Sequence, residues 1–154
     1  MATAQLDLVA EFKQGLKALK DGYPQKALIH MRTVFESEKH NPFYVSFLGL
    51  TIARAERKWD RATELCEVAV TLRRNEVQFH LNLAEVYALA GRREKALDTL
   101  DAALASFGGD QRLKRARTRV EKRRKPLLPF LTRDHFLNRT FGKVRHRALK
   151  RIAK

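Results

Sequence analysis

Apolar and small residues return to the same phase along this chain at a constant interval. Ala27, Ala62 and Ala96 lie 35 and 34 residues apart, and so do Met31, Cys66 and Leu100, and Val34, Ala69 and Ala103. Gly15, Gly49 and Ala84 lie 34 and 35 apart. Four series with one period define a unit of the length used by stacked helix pairs. The one-residue surplus falls between Gly49 and Ala62, and the Glu56-Arg57-Lys58 turn is the expected place for it, because turns tolerate insertions. The pattern predicts helices near 5–20, 24–39, 42–55, 59–73, 76–90 and 93–106. Alanine and glycine stand where paired helices must cross closely. Met31, Tyr87 and Leu100 are placed to fill the gaps between neighbouring pairs. Gly22 and Gly91 suit the left-handed residue that ends a helix, and Pro24 suits the first turn of the next.

The third unit is the clearest, with Leu83, Ala84, Tyr87, Gly91, Ala96, Leu100 and Ala103 in order. It resembles the tetratricopeptide repeat, in its small bacterial form. The first unit matches through Gly15, Ala18, Gly22, Ala27, Met31 and Val34. The second matches through Leu48, Gly49, Ile52, Trp59, Ala62, Cys66 and Ala69. The similarity spans roughly residues 8–108, without the signature Trp early in each repeat or the closing Pro. It implies an all-α fold: a right-handed α-solenoid of three tetratricopeptide-like helix pairs, with a C-terminal capping helix and a basic tail.

In such a solenoid the first helix of each pair lines a concave groove. The resemblance then implies inward rows of Val9, Phe12, Leu16 and Leu19; of Phe43, Ser46, Leu50 and Ala53; and of Gln78, Leu81, Glu85 and Ala88. Phe12, Leu16, Leu19, Phe43, Leu50, Leu81 and Glu85 are the candidate contact residues, and an exposed apolar groove of this length marks a binding site. About half of the rows is expected to bury against the next helix. Some relatives grip a C-terminal carboxylate with Lys, Asn and Arg on the first helices. The matching positions here hold Phe12, Leu16, Phe47, Gln78 and Asn82, which argues against an acidic chaperone tail.

Charge divides the chain. Residues 1–110 carry 15 basic and 15 acidic side chains, whereas residues 111–154 carry 17 basic and 2 acidic, which accounts for the whole net charge of +15. Residues 107–125 read as a seventh helix. Asp110 follows Gly108 and Gly109 as an N-cap, and Leu113, Ala116 and Val120 form a narrow apolar stripe. A helix covering the last repeat with a charged face outward is what a solenoid end needs for solubility. The expected organisation is a helical domain over 1–125 and a basic tail over 126–154.

In that tail, Pro126 and Pro129 force an extended path. Leu127, Leu128, Phe130 and Leu131 between and after them suit docking in an apolar groove, on this chain or on another copy. Further on, Phe141, Val144, Ala148 and Ile152 recur at helical spacing behind a possible cap at Asp134. Lys143, Arg145, Arg147, Lys150 and Arg151 occupy the other faces. A basic amphipathic helix can lie on an anionic membrane, meet an acidic protein or track phosphates.

No catalytic constellation stands out. None of His30, His40, His80, His135 and His146 has metal-ligand spacing, and no glycine-rich phosphate loop or Gly-flanked nucleophilic Ser occurs. Cys66 takes the inter-repeat position of Met31 and Leu100, so a core thiol is expected rather than a nucleophile. The N-terminus lacks a signal peptide, and a cytoplasmic location is the expectation. The sequence points to a non-enzymatic adaptor without cofactor, metal or small-molecule substrate, binding a protein or peptide through its groove. The alternative is an RNA- or DNA-binding or ribosome-associated protein that uses its tail. An anionic membrane surface and homo-oligomerisation through the tail stay open.

Overall fold

The computed structural model describes residues 2–122, with side chains from Asp7 onward. These residues are all helical apart from turns: α1 (Ala2–Lys20), α2 (Pro24–Ser37), α3 (Pro42–Ala55), α4 (Trp59–Leu72), α5 (Val77–Leu89), α6 (Arg93–Ser106) and α7 (Gln111–Lys122). The six repeat helices lie where the periodicity puts them. Residues up to Val120 form one compact unit.

Local chemistry sets the helix ends. Asn41 Oδ1 accepts the Phe43 N–H at 3.1 Å and Glu76 Oε1 accepts the Gln78 N–H at 3.2 Å, each satisfying an orphan donor of the first turn. Asp110 does the same for α7, accepting the Arg112 N–H at 2.7 Å. Gly22 and Gly91 adopt φ of 83° and 79°. The residue after each donates to a carbonyl five positions back, Tyr23 to Ala18 and Arg92 to Tyr87, which closes the helix.

The second repeat departs from this pattern. Its left-handed position is held by Arg57, at φ 57°, a conformation that costs an L-residue about 1–2 kcal/mol. The distance from Gly49 to Arg57 is one residue longer than from Gly15 to Gly22 or from Ala84 to Gly91. The surplus residue therefore sits in the last turn of α3, ahead of the Glu56-Arg57-Lys58 turn where it was expected. Arg57 N–H itself reaches back to the Ile52 carbonyl at 3.1 Å, so the helix absorbs the extra residue by widening its final turn.

Within a pair, helices cross at small residues. Gly15 and Gly49 are buried, and a Cβ at Gly49 would come within 2.8 Å of the Ala62 carbonyl oxygen. Across pairs, α2 packs on α3, α4 on α5, and α3 on α5. The periodic positions form the seam: Ala27, Ala62, Ala96, Met31, Cys66 and Leu100 are all fully buried. Phe79 is the largest fully buried side chain, and burial of that ring contributes about 2–3 kcal/mol. Helix α7 caps the stack through buried Leu113 and Val120 and half-buried Ala116. Arg117 Nε donates to Asp101 of α6 at 2.5 Å, and Arg93 donates to the Val120 carbonyl at 3.3 Å.

Candidate functional site

The first helices of the pairs, α1, α3 and α5, are joined along one face by aromatic and polar contacts. The Phe12 ring of α1 lies 5.0 Å from Tyr44 and 5.4 Å, edge-on, from Phe47. Phe43 at the start of α3 meets Phe79 of α5 at 4.9 Å, also edge-on, a favoured aromatic geometry. The Arg73 guanidinium, from the end of α4, sits 5.5 Å over the Phe43 ring. An open cavity of 520 Å³ next to it is lined by Ser37, Lys39, His40, Asn41, Phe43 and Arg73, among others.

A buried polar chain runs beneath this surface. Gln78 Nε2 donates to Asn82 Oδ1 at 2.8 Å, and Asn82 Nδ2 donates to Ser46 Oγ at 3.0 Å. The Ser46 carbonyl in turn accepts the Cys66 thiol at 3.5 Å. Ser46 and Asn82 are fully or almost fully buried and satisfied, so the chain is a fastener between α3 and α5. Arg54, in the last turn of α3, ties three helices. It donates to the Leu19 carbonyl of α1 at 3.4 Å and through Nε to Glu85 Oε1 of α5 at 2.8 Å, with Nη2 on the same oxygen.

The expected contact residues split into two groups. Phe12, Leu16, Phe43 and Leu81 are half-buried and partly open to solvent. Leu19 and Leu50 are 7% and 4% exposed and belong to the core, where intramolecular packing rather than a ligand covers them. Glu85 is held by Arg54 and is not a free carboxylate. Leu127, Leu128, Phe130 and Leu131, and the basic set Lys143, Arg145, Arg147, Lys150 and Arg151, lie outside the described residues. The sequence reading missed the Arg54–Glu85 bridge and the Gln78–Asn82–Ser46 chain. Their only signal was polar residues on first helices, 31 positions apart for Arg54 and Glu85 and 36 for Ser46 and Asn82.

Two buried ionisable side chains, Cys66 and Tyr87, are held in their neutral forms. Burial, reinforced by the charges of Glu67 and Glu85, pushes the Cys66 thiol up to about 12, far from a reactive thiolate. Tyr87 is likewise pushed up to about 12, by burial first and then by its 2.5 Å hydrogen bond to Glu67. Among the described residues no group of three or more His, Cys, Asp or Glu could hold a metal ion. No described helix is long and apolar enough to cross a membrane.

With helices paired at this period and first helices aligned on one face, the tetratricopeptide repeat family profile matches residues 53–120. Residues 53–120 thus carry the tetratricopeptide repeat. Solved tetratricopeptide structures share its fold. The Sgt2 domain from Aspergillus fumigatus is 15% identical, with TM-score 0.62, covering 75% of this chain and 77% of that one. The second domain of human RPAP3, in complex with the HSP70 peptide SGPTIEEVD, is 14% identical with TM-score 0.61, covering 77% and 98%. A Thermobaculum terrenum O-GlcNAc transferase is 21% identical with TM-score 0.64, covering 73% of this chain and 22% of the enzyme. No curated protein sequence matches. The tetratricopeptide fold is in general a non-catalytic interaction scaffold. At the positions of its carboxylate clamp, Phe12 and Phe47 meet edge-on here, and Asn82 is consumed by its hydrogen bonds.

Proposed function

We propose that this protein is a non-enzymatic interaction module that holds a peptide or a segment of a partner protein along α1, α3 and α5. One observation carries the reading. Phe12, Leu16, Phe43 and Leu81 stay partly open on a face whose buried polar groups are all satisfied internally. Such a face offers apolar contact on a rigid support, and rigidity keeps the ordering cost of binding on the ligand side. The peptide complex of the human RPAP3 domain supports the ligand class and leaves the ligand's identity open. A clamp for a free C-terminal carboxylate is not part of the proposal, because the matching positions carry no cation.

A photo-crosslinking amino acid placed at position 81 tests this against one at position 29, on the outer face of α2. Adducts with cellular protein at 81 and none at 29 support the groove. Equal adducts at both positions overturn it. A second reading rests on the charge split: the 17 basic residues after position 110 engage nucleic-acid phosphates. That reading requires retention on RNA or DNA with log K falling against log salt at about −0.7 to −0.9 per phosphate neutralised.

A further inference from the structure

The inner rows of α1, α3 and α5 repeat at the same 34–35 residue offset as the core. Carried one step further, Gln78, Leu81 and Glu85 map onto Arg112, Arg115 and Arg119 of α7. The burial pattern supports this register independently. Phe79 and Val86 are buried on α5, and their counterparts Leu113 and Val120 are buried on α7. Asn82 and Leu83, also buried, correspond to half-buried Ala116 and Arg117. Helix α7 thus presents to the last pair the face that a first helix presents, and its inner row is Arg112, Arg115 and Arg119, all exposed.

We infer that α7 serves as a fourth inner helix of the groove and that Arg112, Arg115 and Arg119 form a cationic subsite for acidic residues of a bound peptide. This rests on the groove reading above. The charge along the face is one-sided. The rows on α1 and α3 hold no ionisable side chain, and the single carboxylate on α5, Glu85, is neutralised by Arg54. Arg112 bonds its own cap residue, Asp110, at 3.0 Å. Among the described residues no carboxylate pairs with Arg115 or Arg119. A ligand that satisfies both ends has apolar residues over α1 and α3 and Asp or Glu over α7. Nucleic acid fits less well, since its phosphates would cover two rows that carry no charge. The subsite also differs in place from a carboxylate clamp, which occupies the first three inner helices.

The test uses the full chain and labelled peptides in fluorescence anisotropy. One peptide has a Leu-Phe half followed by a Glu-rich half, and its copy has Gln for every Glu. The Glu peptide should bind at least about tenfold more tightly than the Gln copy, the scale expected for a few solvent-exposed charge pairs acting together. Reversing Arg115→Glu and Arg119→Glu should abolish that preference, with unchanged binding of the Gln copy and an unchanged Tm. A control pair off the row, Lys26→Glu with Lys114→Glu, matches the charge change and should keep the preference. Equal loss in both double variants overturns the subsite, because bulk charge then explains the binding. Tighter binding of a labelled single-stranded RNA, weakened by the arginine reversals while the Glu peptide does not bind, overturns it in favour of phosphate. Leu81→Gln separates the two readings. If it weakens both peptides while the arginine reversals change nothing, the subsite falls and the groove stands. If it changes nothing either, the groove falls as well.

Discussion

Gly49→Ala puts the smallest possible side chain at the close crossing of α3 and α4. Its Cβ would lie 2.7 Å from Cys66 Sγ, 2.8 Å from the Ala62 carbonyl oxygen and 3.1 Å from Leu65 Cβ. The carbonyl belongs to the α4 backbone and cannot rotate away, so α3 and α4 must move apart by several tenths of an ångström. Overpacking of this kind costs about 1–3 kcal/mol, while alanine regains about 1 kcal/mol of helix propensity. With a backbone atom as the obstacle the cost falls in the upper part of that range, leaving a net loss of about 1–2 kcal/mol. Gly15, one repeat earlier, is the internal control. Its added Cβ meets the terminal methyl of Met31 at 2.7 Å and His30 Cβ at 3.1 Å. A methionine end can change rotamer for about 0.5–1.5 kcal/mol, so Gly15→Ala should stay within about 0.5 kcal/mol of the parent chain. Urea titrations followed by far-ultraviolet circular dichroism measure both. Each kcal/mol corresponds to about 4 °C in Tm for a domain of this size. The crossing argument is refuted if Gly49→Ala is as stable as the parent, or if Gly15→Ala is the worse of the two.

Three further outcomes follow from the same structure. Asn82→Ala leaves Ser46 and Gln78 without their partner and should cost about 1–3 kcal/mol in the same titration, whereas Gln78→Ala, at a half-buried position, should cost less. Arg57→Gly relieves the left-handed strain at the end of α3 and should raise stability by about 0.5–1 kcal/mol; a lower Tm would show that the arginine's contacts outweigh its backbone conformation. Cys66 should not react with a thiol reagent at pH 8 in the folded chain and should react at once in urea. Its folded pKa, about 12, lies above the unfolded thiol's ~8.5, so the neutral thiol's contribution is whole below the unfolded value and is lost as pH rises toward the folded one. Tm should therefore fall across that alkaline window, and a Cys66→Ala chain should show a smaller fall.

Much of the fold was legible because each helix pair solves the same packing problem. A seam that repeats every 34 residues forces the same residue size at the same step, and Ala27, Ala62 and Ala96 show it without any coordinates. Helix ends were legible where one residue type is required, as at Gly22 and Gly91. They were not legible at α3, where Arg57 takes a conformation that its side chain gives no reason to expect. The site was half legible. Spacing places Phe12, Leu16, Phe43 and Leu81 on one face, but it cannot say which members of a row intramolecular packing covers. Leu19 and Leu50 look the same as Leu16 in the sequence and are buried in the fold.

The sequence by itself determined the repeat, the helix pairing, the core thiol and the division of charge, since these depend on residue size and spacing within one unit. The tertiary structure alone decided which inner residues remain open, that Glu85 is held by Arg54, and that Asn82 is a fastener. It also decided that Leu113 and Val120 of the capping helix are buried. Those properties belong to contacts between units, where residues some thirty positions apart meet and local pattern carries no record of the partner.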